Sequence, residues 1–81
     1  MEGMTETTVT VYTKPICGQC IGTKRHLTAK GIHYEEVDVT TNPAALEYVT
    51  EELGYSAAPI VVVDDHNHWA GYRPDLIDKL A

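Results

Sequence analysis

Positive charge is scarce in this chain: six Lys and Arg stand against twelve Asp and Glu, a formal net charge of -6. Proteins that grip nucleic acid or an anionic membrane carry a basic patch, so neither partner is expected. Long apolar runs are missing as well. No stretch approaches the roughly 20 apolar residues that span a bilayer, and positions 1–8 lack the basic and apolar regions of an export signal, so a cytoplasmic protein is expected. Cysteine is limited to Cys17 and Cys20. So short a loop removes little unfolded-state entropy when closed, which disfavours a purely structural disulfide and favours reactive or metal-binding thiols. There is no internal repeat, linker or low-complexity segment, and 81 residues leave room for one domain with one modest core. At 43% hydrophobic and 22% charged residues that domain should fold. Residues 1–7 are expected to be a flexible leader and residues 8–81 the domain.

What is present reads as alternating strands and helices. Every residue from Thr8 to Thr13 is β-branched or aromatic, which predicts a first strand. Lys14-Pro15-Ile16 interrupts it. Gly18 to Lys30 then carries Cys20, Thr23 and Leu27 at helical spacing, with Gly31 as the stop, although the apolar face is thin and Gly22 weakens it. Tyr34 to Thr40 predicts a second strand. Asn42-Pro43 reads as a cap followed by a first-turn proline, and Leu46, Val49 and Leu53 mark one face of a helix that Gly54 ends. Ile60 to Val63 has the continuous β-branched character of a strand buried on both faces. A polar turn over 64–67 leads to a short edge strand, His68 to Ala70, and a helix from Arg73 to Leu80 closes the chain. The expected fold class is α/β: a four-stranded mixed sheet flanked by three helices in the order βαβαββα.

The chemistry gathers at Cys17-Gly18-Gln19-Cys20, where the first strand gives way to a helix. Three residues of separation put both sulfurs on one face of the first turn. At the helix N-terminus, unpaired N–H groups and the dipole favour an anion at Cys17, which predicts an attacking thiolate there and a resolving thiol at Cys20. Lys14 is a candidate for added positive charge, or simply a solvated loop residue. Two thiolates at this spacing are also half of a zinc site, with His26, His33, His66 and His68 as possible further ligands, though their spacing is poor. Iron-sulfur ligation would need two more thiolates than the chain holds. Pro59 stands just before the most buried strand. It is either punctuation or a cis proline that exposes backbone for a substrate chain. Ile21 is expected to be exposed and to suit an apolar docking patch. Trp69 and Tyr72 read equally well as packing, in the core or at a sheet edge, and as partner-facing aromatics, and Arg73 as solvation of the last helix start.

The Cys-x-x-Cys, the proline before the third strand, Tyr12-Thr13-Lys14-Pro15, Gln19-Cys20, Gly54-Tyr55 and the block from Trp69 to Pro74 resemble the thioredoxin and glutaredoxin superfamily, and more narrowly the NrdH-redoxins. The resemblance covers residues 8–81 and implies a thioredoxin-like fold. It implies a monomeric dithiol-disulfide oxidoreductase without a cofactor of its own, donating electrons to the large subunit of class Ib ribonucleotide reductase. It further implies recycling by thioredoxin reductase and NADPH. By the same resemblance Cys17 is the nucleophile, Cys20 resolves, and Pro59 is a cis proline beside them. Lys14, Gly18 and Gln19 complete the active site, while Trp69, Tyr72 and Arg73 lie towards the partner together with Ile21. Gly18 stands where the family carries a bulkier residue, and Ala70 and Tyr72 where it carries Ser and Phe. A glutathione-dependent glutaredoxin or mycoredoxin is the alternative. The stretch after the last strand, where glutaredoxins commonly hold the glutathione carboxylate with a Gly-Gly and acidic pair, reads here as Ala70-Gly71-Tyr72-Arg73-Pro74-Asp75, so that pocket looks incomplete. A non-catalytic zinc-binding module is a third reading.

Overall fold

The computed structural model describes residues 9–64 and 66–80; the expected leader, 1–7, lies outside the described residues, as does the first position of the expected first strand. The elements run β1 (Val9–Thr13), α1 (Gly18–Ala29), β2 (Tyr34–Asp38), α2 (Pro43–Glu47), a π-helical turn (Tyr48–Glu52), β3 (Ile60–Asp64), β4 (Asn67–Ala70) and α3 (Pro74–Asp78). The sheet order is β2-β1-β3-β4. β1 pairs parallel with β2 and antiparallel with β3, and β3 pairs antiparallel with β4. This is the four-stranded mixed sheet of the expected βαβαββα order. No helix among the described residues is long and apolar enough to cross a membrane.

Strand alternation divides the core in two. Val9 and Val11 of β1, Val61 of β3 and Trp69 of β4 face α1 and α3, where they meet Leu27 and Ile77. The intervening residues face the other way: Ile60 packs with Val39 and Val49, and Tyr12, Val62 and Ala70 border them. β3 is therefore covered on both faces, as its unbroken β-branched run requires. On α1 the buried residues are Cys20, Thr23 and Leu27, the thin face seen in the sequence. Two propensity penalties of up to about 1 kcal/mol each, at Gly18 and Gly22, make α1 a helix held by tertiary packing.

Five boundaries differ from expectation. α3 spans only Pro74–Asp78 of the expected Arg73 to Leu80, with Arg73 as its N-cap and Lys79 as its C-cap. α1 ends at Ala29, with Lys30 as its C-cap and Gly31 at φ +74° turning the chain out. β2 stops at Asp38, because the Asp38 carboxylate takes the N–H and hydroxyl of Thr40 and bends the chain there. At the hairpin β3 runs one residue further than expected, to Asp64, and β4 starts one earlier, at Asn67, while position 65 of the expected turn lies outside the described residues. The largest difference is in the second helix. It opens as expected, with Asn42 Oδ1 accepting from Ala45 N–H and Pro43 in the first turn, but after Glu47 it loosens to π geometry. The Thr50 hydroxyl donates back to the Leu46 carbonyl at 2.8 Å, and the Leu53 N–H reaches the Tyr48 carbonyl five residues back. Val49 is buried, while Leu46 is 44% exposed at the open groove that the two line together.

This placement predicts unequal costs for two leucines. Leu27→Ala should lower the stability measured by urea unfolding by about 2–5 kcal/mol, whereas Leu46→Ala should cost less than about 1 kcal/mol.

Candidate active site

The site forms where β1 ends. Pro15 and Ile16 carry the chain out of the sheet, and Ile16 adopts φ +53°, a conformation that a β-branched side chain strongly resists. That turn delivers Cys17 in extended geometry (φ -135°, ψ 106°) as the N-cap of α1. The Cys17 sulfur accepts from the Cys20 N–H at 3.2 Å, and the Cys17 carbonyl accepts the N–H of Ile21. Both cysteines are free thiols; Cys17 is half-buried and Cys20 fully buried behind it. Across the gap, the Cys17 sulfur lies 3.9 Å from the Ala58 carbonyl oxygen, and the Ala58–Pro59 peptide is cis. The Pro59 carbonyl accepts the Gly71 N–H at 2.7 Å, which ties the proline loop to the segment leaving β4.

Electrostatics separate the two thiols. Burial, followed by the hydrogen bond with Cys17, pushes the Cys20 thiol up from 9.0 to about 11; a backbone hydrogen bond at Lys14 and the positive charge of Lys24 oppose the rise. A half-exposed sulfur that caps a helix therefore stands beside a buried one that holds its proton. Lys24 is the residue that sequence reading missed. It follows Cys20 by one helical turn, and its ammonium donates to Glu36 at 2.9 Å. Glu36 also accepts from the buried Thr13 hydroxyl at 3.0 Å, and Lys24 first, then Thr13, hold its carboxyl below the usual range. The four-residue step from Cys20 to Lys24 was visible; that Glu36 pairs across the sheet with Val11 was not.

The other expected site residues separate into groups. Gln19 is at the site and its side-chain oxygen accepts the Tyr72 N–H at 3.1 Å. Gly18 is exposed and a Cβ there would meet nothing within 4 Å, so a side chain fits at this position. Lys14 is exposed and lines a groove of about 240 Å³ shared with Val39, Leu46, Val49, Tyr55 and Ala58. Ile21 is 53% exposed, as expected, and Ile16, which sequence reading passed over, is fully exposed on the other side of Cys17. Trp69 corrects the docking expectation: it is 6% exposed in the core between β4 and the helices, because β4 alternation turns it towards Val61 and Ile77. Tyr72 is partly exposed, and Arg73 is exposed with its guanidinium paired to Asp75 at 3.0 Å.

The comparisons with known proteins follow the same outline. Residues 9–69 match the glutaredoxin family model. The chain belongs to the glutaredoxin family. It is 49% identical over 72 residues to the gene 56 protein of Mycobacterium phage L5, covering 89% of this chain and 70% of the phage protein. It is 36% identical over 72 residues to the glutaredoxin-like protein NrdH of Escherichia coli K12, covering 89% and 86%. The solved NrdH-redoxin of Escherichia coli, a glutaredoxin-like protein described as having a thioredoxin-like activity profile, superposes with a TM-score of 0.84 at 35% identity, covering 91% of this chain and 95% of that one. The fold is thus thioredoxin-like, and this glutaredoxin-family chain is a thiol-disulfide oxidoreductase with a Cys-x-x-Cys motif. Among the described residues no three His, Cys, Asp or Glu side chains converge as metal ligands. His26 is engaged by Tyr72 and Asp78, and His68 by Tyr55.

The raised Cys20 thiol sets an alkaline limit. Between pH 9.0 and about 11 the unfolded thiol loses its proton while the folded one keeps it, so the native state binds more protons and this contribution to stability is lost as pH rises through that window. In the reduced protein, the ¹³Cβ resonance of Cys20 should titrate with a midpoint of about 11. Cys20→Ser should show a shallower fall in urea midpoint from pH 9 upward.

Proposed function

We propose that the chain is a dithiol electron donor of the NrdH-redoxin kind, a cytoplasmic monomer that reduces class Ib ribonucleotide reductase and is recycled by thioredoxin reductase and NADPH. The observation behind it is the division of labour between the cysteines: a half-exposed sulfur at a helix N-terminus and a buried partner held one turn away. In this reading the Cys17 thiolate attacks one sulfur of a substrate disulfide. A Cys17–substrate disulfide forms, and the displaced substrate sulfur leaves as a thiolate. Cys20 gives up its proton to that thiolate and attacks Cys17, which forms the Cys17–Cys20 disulfide and frees the second substrate sulfur. Two electrons pass to the substrate. Thioredoxin reductase returns two from NADPH.

Exposed Ile16 and Ile21 flank Cys17 in the sequence and suit an apolar partner surface, with exposed Arg73 as a further candidate contact. Pro59 fixes the backbone of 56–58 opposite the sulfur, where an extended substrate segment would lie. Lys14 takes part through its backbone, and Gln19 by holding the segment after β4. Against glutathione as the working reductant, the Gly71 and Tyr72 N–H groups that follow β4 are already given to Pro59 and Gln19, so neither is free to grip a carboxylate. The ribonucleotide reductase partner rests on the similarity to NrdH proteins.

Insulin disulfide reduction with NADPH tests the reading. Turnover is expected with thioredoxin reductase, and weak or no turnover with glutathione and its reductase; the reverse pattern would assign a glutathione-dependent glutaredoxin. Cys17→Ser should abolish activity, and Cys20→Ser should accumulate a mixed disulfide visible by mass spectrometry.

A further inference from the structure

Gln19, Gly22, His26 and Lys30 recur at three- and four-residue spacing and so form one stripe down α1 and its C-cap. The chain leaving β4 lies along this stripe. Gly71, at φ +88°, stands so close that a Cβ would meet the Gln19 side-chain oxygen at 3.4 Å. The Tyr72 N–H donates to that same oxygen. The Tyr72 ring then rests over Gly22, where an added Cβ would lie 3.7 Å from it. Its hydroxyl is 2.8 Å from His26 Nδ1, and His26 Nε2 is 2.8 Å from Asp78 Oδ1 in α3. Lys30 approaches the same carboxylate oxygen at 3.6 Å.

The direction of these bonds follows from what each group offers. The Asp78 carboxylate only accepts, so Nε2 carries the hydrogen, and in the neutral ring Nδ1 accepts from the Tyr72 hydroxyl. When the ring is charged, Nδ1 donates to the hydroxyl instead. The contact survives in both states, which makes it a fixture.

We propose that Tyr72 is a positioning residue for the dithiol site: its hydroxyl, held by His26 and Asp78, pins residues 71–73 so that the carboxamide of Gln19, the residue before Cys20, keeps one orientation. With its oxygen committed to the Tyr72 N–H, Gln19 presents its amino end to the carbonyl groups of a protein substrate. Released, the side chain rotates, and that donor is no longer fixed. This inference rests on the dithiol reading above, because it concerns recognition of a protein disulfide and not the exchange chemistry.

Tyr72→Phe removes the hydroxyl and keeps the ring over Gly22, so the fold is retained. Amide hydrogen exchange at residue 72 should quicken about ten-fold, and KM for insulin should rise about three- to ten-fold with kcat nearly unchanged, the size of one lost hydrogen bond. Single-turnover reduction of a small aromatic disulfide such as DTNB should not change. His26→Ala should reproduce both effects, and the double variant should be no worse than either single one. Unchanged exchange at residue 72, an equal loss on DTNB, or additive effects in the double variant would each overturn the assignment. Wild-type protein that reduced neither substrate would defeat the dithiol reading itself, and the exchange comparison, which needs no substrate, would still decide whether the hydroxyl is a pin.

Discussion

The Cys20 N–H donates to the Cys17 sulfur, and the rest of the site depends on that one bond. α1 has no acidic residue in its first turn and no Ser, Thr, Asn or Asp to cap it; a sulfur stands where an oxygen would usually accept. The group that ends the helix is therefore also the group placed to react. The bond therefore serves two ends at once: it satisfies an N–H of the first turn and fixes the Cys17 sulfur at the mouth of the helix. Capping is worth about 0.5–2 kcal/mol, comparable to the penalties of Gly18 and Gly22 that it must offset.

A cap of that kind works only if the chain enters the helix at the right angle, and the sheet secures this. β1 lies between β2 and β3 with both faces covered, so its carboxyl end is a fixed point. Ile16 absorbs the change of direction in a strained conformation, at a cost of order 1–3 kcal/mol that surrounding structure must override. The cis-proline loop before β3 closes on the same point from the opposite side, bound through Pro59 to Gly71 and so to β4. The end of β1 and the cis-proline loop thus meet at Cys17, and the loop is tied by backbone to the segment after β4.

Local rules made much of this legible. β-branched runs marked β1 and β3, Asn42-Pro43 marked a helix start, and the Cys-x-x-Cys after a strand marked the reactive end, because each signal depends on neighbours a few residues away. What escaped depended on distant partners or on bond choices that several sequences share. Leu46 read as a core position, yet it stands 44% exposed at the open groove that it lines with the buried Val49. Trp69 read equally as core or as docking surface, since an edge strand has a buried and an open face and only the pairing with β3 decides which one a residue takes. Lys14, close in sequence, drew attention as the positive charge, whereas the charge that acts on Cys20 belongs to Lys24, one helical turn along.

Gly22 shows why local and global signals can disagree without either being a defect. By propensity it is, with Gly18, the weakest residue of α1, and the sequence alone counts it against the helix. In the fold the face of α1 at Gly22 is occupied by the Tyr72 ring, whose atoms begin 3.7 Å from where a Cβ would stand. The missing side chain lets the segment after β4 lie close to the helix axis, near enough for its backbone to reach Gln19 and its hydroxyl to reach His26. Any loss in helix propensity at residue 22 is local, while the contact it admits joins α1 to α3 and both to the reactive turn. A helix whose own sequence holds it weakly is thereby fixed where orientation matters, along the stripe that runs from the cysteine motif to Asp78.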